Sequence, residues 1–175
     1  MSKKNILLLY TNMNIGGAQK HVIDLAIGLK NNNLNVTIGS SDGGSLIPEI
    51  ISNNIFFKPI LNHSNNPFRM LINIYSLIKY ININNVDIIH SHHRYTNFLT
   101  YFVKHFVSKN RDFISTAHNI FPNFHKFGFW HKKTICVSTP VEDYIASISN
   151  CSTKVIYNSI RRKLPTVHPK KIKNK

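Results

Sequence analysis

Three short stretches hold the residues best suited to chemistry: "NMNIGG" (12–17), "SHHRY" (91–95) and "TAHN" (116–119). In the first, Gly16 and Gly17 fall between a short apolar run and a segment with helical spacing. Two readings fit an adjacent pair there. Glycine permits a tight turn with positive φ, or its missing side chain lets a phosphate or sugar approach bare N–H groups at a helix N-terminus. In and just before the second stretch, His90, His92 and His93 raise the question of a metal. Strand alternation puts His90 and His92 on one side and His93 on the other. No cysteine or acidic side chain adjoins them, so no metal centre is expected. His118 stands at the end of an apolar run, where a histidine either bonds to backbone or faces a ligand.

The elements around these stretches decide between the readings. Lys4 to Tyr10, with Ile6, Leu7, Leu8 and Leu9 in succession, reads as a strand buried on both faces. Ala18, Val22, Leu25, Ala26 and Leu29 then recur at the spacing of one helical face. The alternation continues. "NVTIGS" (35–40) predicts a second strand, "LIPEIIS" a short helix with Pro48 in its first turn, and "IFFKPI" (55–60) a third strand. "NPFRMLINIYSLIKYIN" predicts an amphipathic helix with Met70, Leu71, Ile74, Leu77, Ile78 and Ile81 on one face. "VDIIHSH" (86–92) is a fourth strand. Phe98, Leu99, Phe102, Val103, Phe106 and Val107 mark the next helix. Strands at 112–118, 134–139 and 154–158, with a helix at "VEDYIASI", complete the chain.

Alternating strands and helices imply right-handed crossovers and a Rossmann-like, doubly wound parallel α/β sheet. Its first strand is expected to be central. In such sheets ligands bind beyond the carboxyl ends of strands. The polar and glycine-rich stretches all follow strands, and that shared edge favours the ligand reading.

Composition sets the outer bounds. The 175 residues are enough for one domain with a substantial core, and 22 Lys and Arg against 7 Asp and Glu give a net charge of +15. Such a surface attracts anions: nucleic acid, acidic lipid or phosphorylated small molecules. Cys136 and Cys151 form neither a disulfide framework nor a zinc pattern, so a reducing cytoplasm is the default. The apolar core of "MSKKNILLLYTN" is too short for a signal peptide and no cleavage site follows. No apolar run reaches the length of a membrane span. Residues 161–175 carry two prolines and dense positive charge, and read as a linker or disordered arm after a domain at 1–160. A linker at that point implies that something normally follows it.

"IGGAQKHVIDLAIGLKNNNLNVTIGS", "DIIHSHHRYTNFLTYF", "STAHNIF", "ICVSTPVEDYI" and "KVIYNSI", in this order, resemble the N-terminal domain of glycosyltransferase family 4 enzymes. These have the two-domain GT-B architecture, and the resemblance covers residues 4–160. It implies the N-terminal half of a retaining transferase that moves a sugar from a nucleotide-sugar to a cell-envelope glycan or lipid-linked acceptor. No cofactor is implied beyond the nucleotide-sugar co-substrate. Gly16 and Gly17 match the loop that approaches the donor diphosphate and the acceptor. His118 matches a histidine near the transferred sugar, with Asn119 beside it. Independently of the resemblance, the place of His92, His93, Arg94 and Tyr95 in a loop after the fourth strand fits an acceptor or sugar contact, and Asn14 in the loop after the first strand is a further candidate. Ser138 and Asn158 mark the interdomain side. Two positions depart from the pattern: Ser159 stands where the family usually has glycine, and Gln19 where Glu is common.

The second Rossmann-like domain, which carries most nucleotide contacts and a paired-glutamate motif, is missing from the chain. Either a half-enzyme or a split subunit completed by a partner is expected, a poor catalyst alone. A non-catalytic binding or scaffold subunit is the alternative reading. The segment 119–133 interleaves Phe121, Phe124, Phe127, Phe129 and Trp130 with basic residues. It fits either a helix packing on the sheet or an anionic membrane surface, which would place the protein peripherally at the inner face of the plasma membrane. A basic nucleic-acid binder ranks third, because no nucleic-acid fold signature accompanies the charge.

Overall fold

The computed structural model describes residues 3–61, 66–121 and 130–159. Its elements are β1 (Asn5–Leu9), α1 (Gly17–Asn31), β2 (Asn35–Ser41), α2 (Ile47–Ser52), β3 (Phe56–Leu61), α3 (Pro67–Ile83), β4 (Ile88–Ser91), α4 (Arg94–Val103), β5 (Asp112–Ala117), β6 (Lys133–Cys136), α5 (Thr139–Ile148) and β7 (Ser152–Val155). The strands form one seven-stranded sheet, β3-β2-β1-β4-β5-β6-β7. Every pairing is parallel. This is the Rossmann-like α/β sheet that the alternation predicts. β1 is interior, while the middle strand is β4. Strand order runs outward in one direction from β1 and in the other from β4, so their junction is the topological switch point where ligands bind in such sheets.

The leucine run of β1 has partners on both faces. Ile6, Leu8 and Tyr10 join a core with Val22, Ile23 and Ala26 of α1 and Ile50 of α2. Leu7 and Leu9 join the opposite core with Leu77 and Ile81 of α3 and Leu99 and Val103 of α4. Alternation across one strand thus feeds two helical layers. Pro59 is tolerated in β3 because that strand is an edge.

The first three helices stop in the same way. Each ends in an asparagine pair followed by an apolar residue: Asn32-Asn33-Leu34, Asn53-Asn54-Ile55 and Asn84-Asn85-Val86. The second asparagine adopts a left-handed φ of 60°, 53° and 46° respectively. The apolar N–H then reaches back to a carbonyl of the last turn: Leu34 to Leu29, Ile55 to Ile50 and Val86 to Ile81. This is the Schellman arrangement, with asparagine in the position that glycine usually fills.

Two helical faces differ from their expected pattern. Leu71 is exposed, although its spacing put it on the buried face of α3. There the core is met by Leu77 and Ile81, flanked by the partly buried Met70, Ile74 and Ile78. On α4, Phe102 is exposed although it lies within the helix, and Phe106 is exposed beyond its end at Val103, while Val107 of the same expected face still reaches the core. The tail at 161–175 lies outside the described residues, as do Phe124, Phe127 and Phe129.

Candidate functional site

The loop after β1 leads directly into α1. Gly16 is the N-cap, with φ −178° and ψ 159°, and no side chain caps this end. That extended backbone is open to any residue, and Gly17 already belongs to the helix. The positive-φ turn reading of this pair is therefore corrected. A Cβ at Gly16 would meet only the tip of the flexible Gln19 side chain, and one at Gly17 would meet nothing. The glycines that do need left-handed backbone are Gly43 and Gly44, at φ 80° and 132°, in the loop after β2. A Cβ on Gly44 would press on the Met13 backbone at 2.7 Å. With only hydrogen there, the two loops close up, and Leu46 N–H bonds to Met13 O at 2.9 Å.

The first-turn N–H groups of α1 have no intrahelical acceptors, and no acidic side chain lies in that turn. The positive end of the helix dipole is left to whatever anion approaches. One helical turn beyond Gly17 stands His21.

His21 meets residues leaving β4 and β5. His92 Nδ1 lies 3.3 Å from His118 Nε2. The His21 ring is edge-on to His118 at 5.1 Å between centroids and 5.7 Å from His92. His90 lies against His92 at 4.1 Å, and its Nε2 is 2.7 Å from Thr116 Oγ1 on β5. Four imidazoles from α1, β4 and β5 thus share one space at the carboxyl edge.

Burial keeps them neutral. It drives His92 well below the ordinary histidine range. Burial, with the neighbouring imidazoles adding to it, brings His90 to about 3 and His118 to about 4. His21 is also lowered by burial, with the Asp24 charge opposing. His92 Nε2 and His118 Nδ1 are buried without a hydrogen-bond partner among the described residues.

The other candidates are distributed around this centre. His93 caps α4: its Nδ1 accepts from Tyr95 N–H at 3.2 Å, and Thr96 answers in a capping box. The expected post-strand loop is thus only the two residues His92 and His93. Arg94 lies over the Phe121 ring at 4.0 Å. Tyr95 turns to α3, its hydroxyl accepting from buried Asn73 at 2.7 Å. Asn14 and Asn119 are exposed beside the β1 and β5 exits. Ser138 is the N-cap of α5 and Asn158 is exposed beyond β7. Between those two, the Thr139 and Tyr157 hydroxyls lie 3.1 Å apart.

Sequence reasoning placed His92 and His118 at this edge and missed His21 and Thr116. His21 lies in a segment read only for its apolar face. Its signal was its place one turn after the glycine pair, on the helix end that faces the strand exits.

Residues 15–163 match the sequence profile of Glycosyltransferase Family 4. Among solved structures, a glycosyltransferase from Rickettsia africae is similar over 91% of this chain and 44% of its own, at 26% identity and a TM-score of 0.76. Anabaena Alr3699/HepE in complex with UDP-glucose is similar over 89% of this chain and 44% of its own, at 17% identity and 0.71. MurG of Acinetobacter baumannii aligns over 90% and 47%, at 13% identity and 0.65. The chain therefore spans less than half the length of each. No curated protein sequence matches it. Among the described residues, no helix is long and apolar enough to cross a membrane.

Proposed function

The chain belongs to glycosyltransferase family 4, and from that premise we propose that it is the acceptor-side half of a retaining sugar transferase. It moves a sugar from a nucleotide-sugar to a cell-envelope glycan or lipid-linked acceptor once a C-terminal donor domain, fused or as a partner subunit, completes the cleft. The observation that carries this reading is the meeting of the uncapped α1 N-terminus with His118 at the carboxyl edge of the sheet. A diphosphate is a ligand for free N–H groups at a helix end, and Gly16 and Gly17 keep that end bare. His118, held neutral, offers a hydrogen bond to a sugar hydroxyl and no charge. Its role is positioning. Stabilisation of the leaving diphosphate comes from the helix dipole and the donor domain, as electrostatic preorganisation requires.

The test is sugar transfer from labelled UDP-glucose and other nucleotide-sugars, with the chain fused to a C-terminal family 4 domain. Transfer that depends on His118 supports the reading. Nucleotide-sugar binding with no transfer to any glycan or lipid-linked acceptor overturns it in favour of a non-catalytic subunit.

The same reading places the protein at the cytoplasmic face of an anionic membrane. Phe68, Leu71, Ile72 and Tyr75 stand exposed on α3, on a chain of net charge +15. Apolar side chains beside excess positive charge suit an acidic lipid surface.

A further inference from the structure

We propose that His21, His92 and His118 form a three-imidazole site for a divalent transition metal of the zinc class. One ring nitrogen from each lies within 4.8 Å of the other two. In a tetrahedral zinc site with Zn–N near 2.05 Å, two ligand nitrogens stand about 3.3 Å apart. The His92 Nδ1 to His118 Nε2 separation of 3.3 Å already has that value. His21, half-buried on α1, brings a ring nitrogen within 4.8 Å of both and closes on them by turning its side chain.

The surroundings suit metal binding in three respects. Burial holds the imidazoles neutral, so each offers one lone pair to a metal once the proton shared in the His92–His118 contact moves to the far ring nitrogen. The His92 ring is fixed from behind by His90, itself anchored on Thr116, and Asp24 acts electrostatically on His21 from the next turn. These contacts orient the rings by packing and charge, while His92 Nε2 and His118 Nδ1 face away from the cluster's short contact with no hydrogen-bond partner among the described residues. The donors are all nitrogen, which selects zinc, copper, nickel or cobalt over magnesium and calcium, whose ligands are oxygens. Three protein ligands leave a fourth position open, the arrangement of sites that take water or a substrate oxygen.

The inference does not rest on sugar transfer, and its test reads metal binding alone. The full 175-residue chain, stripped with chelator, is titrated with Co2+ and followed by visible absorption, then with Zn2+ by calorimetry. The expected result is one ion per chain, with the intense visible bands of four-coordinate cobalt, displaced by zinc. His21→Ala and His118→Ala each weaken binding by at least about 100-fold, the upper end of what loss of a backing partner costs. His21→Gln and His118→Gln do the same while keeping the wild-type melt. His105→Ala, at an exposed position away from the cluster, leaves affinity unchanged. Absence of cobalt bands, or stoichiometric binding that survives the His21 and His118 variants, overturns the site and leaves the transfer reading standing.

Discussion

His92 and His118 lie 26 residues apart in the chain, yet their facing nitrogens are 3.3 Å apart because β4 and β5 are parallel neighbours that end at the same edge. The pair is an outcome of strand register. Ser91 pairs with Ser115, and each chain emerges a few residues later with a histidine directed at the switch point.

For His118→Ala in the completed enzyme, turnover is expected to fall by about 10²-fold, the scale set by loss of one positioned polar group in a catalytic site. The side chain is half-buried at a strand exit rather than in a core cluster, so the melting temperature should move little. Steady-state transfer and thermal melts on the same preparations check both halves. Turnover at the wild-type level would remove His118 from the site.

Gly16→Val is expected to leave the sheet intact and abolish transfer. The N-cap backbone is extended, so valine fits its φ and ψ, and only the Gln19 side chain must swing away. The branched side chain would then occupy the approach to the first-turn N–H groups. Circular dichroism with donor-nucleotide titration decides the point: a folded variant with unchanged nucleotide affinity counts against the phosphate reading.

Left-handed backbone predicts a different pattern of stability. Gly44→Ala forces a Cβ onto the Met13 backbone at φ 132°, at a cost of about 1–3 kcal/mol. Asn85→Ala, at φ 46°, is expected to cost about 1–2 kcal/mol. Gly17→Ala, inside α1 with open space around it, is expected to be neutral or to stabilise by up to about 1 kcal/mol. Urea midpoints of the three variants order them.

Acid should destabilise the fold before any carboxylate titrates. His90 at about 3 and His118 at about 4 take up protons in the folded state far less readily than in the unfolded chain, near 6.5. Their neutral-state contribution is complete above pH 6.5 and is lost as pH falls toward those values. The slope is about 1.4 kcal/mol per pH unit for each histidine, roughly 2 kcal/mol each by pH 5. Denaturant midpoints between pH 7.5 and 5, measured at fixed salt, should fall accordingly and less steeply in His90→Gln. A flat profile would show these rings to be solvated.

Liposome co-sedimentation tests the membrane reading. Binding to acidic vesicles at low salt should exceed binding to neutral ones and weaken in Phe68→Ser/Ile72→Ser. Equal binding to both vesicle types would remove the electrostatic part of the argument.

The sheet was readable because its signals are periodic: Ile6 to Leu9 can be buried on both faces only in a covered parallel strand. The carboxyl edge was readable for the same reason, since it follows from strand order. Long-range meetings of side chains were not. Nothing near His21 distinguishes it from a solvent-facing helical histidine, and its neighbours at 92 and 118 arrive through β4 and β5. Asn33, Asn54 and Asn85 were also opaque. In an asparagine-rich chain they look like compositional bias, and only the backbone shows three identical helix stops. Phe106 continued the helical spacing past Val103, where α4 gives way to turns whose N–H groups bond three residues back.

The place of β1 beside β4 also sets a timetable for folding. Asn5 N–H donates to Asp87 Oδ2 at 2.7 Å, 82 residues away in sequence, and Ile6 pairs with Ile88. While the chain is being synthesised, β1, β2 and β3 can assemble early, but one edge of β1 stays unpaired until β4 emerges. That edge is the leucine run, the most apolar stretch of the sheet. Closing so long a loop is slow, and an open apolar strand in the meantime is a template for intermolecular pairing. Aggregation during expression should therefore track synthesis temperature and chain concentration more closely than the stability of the finished fold.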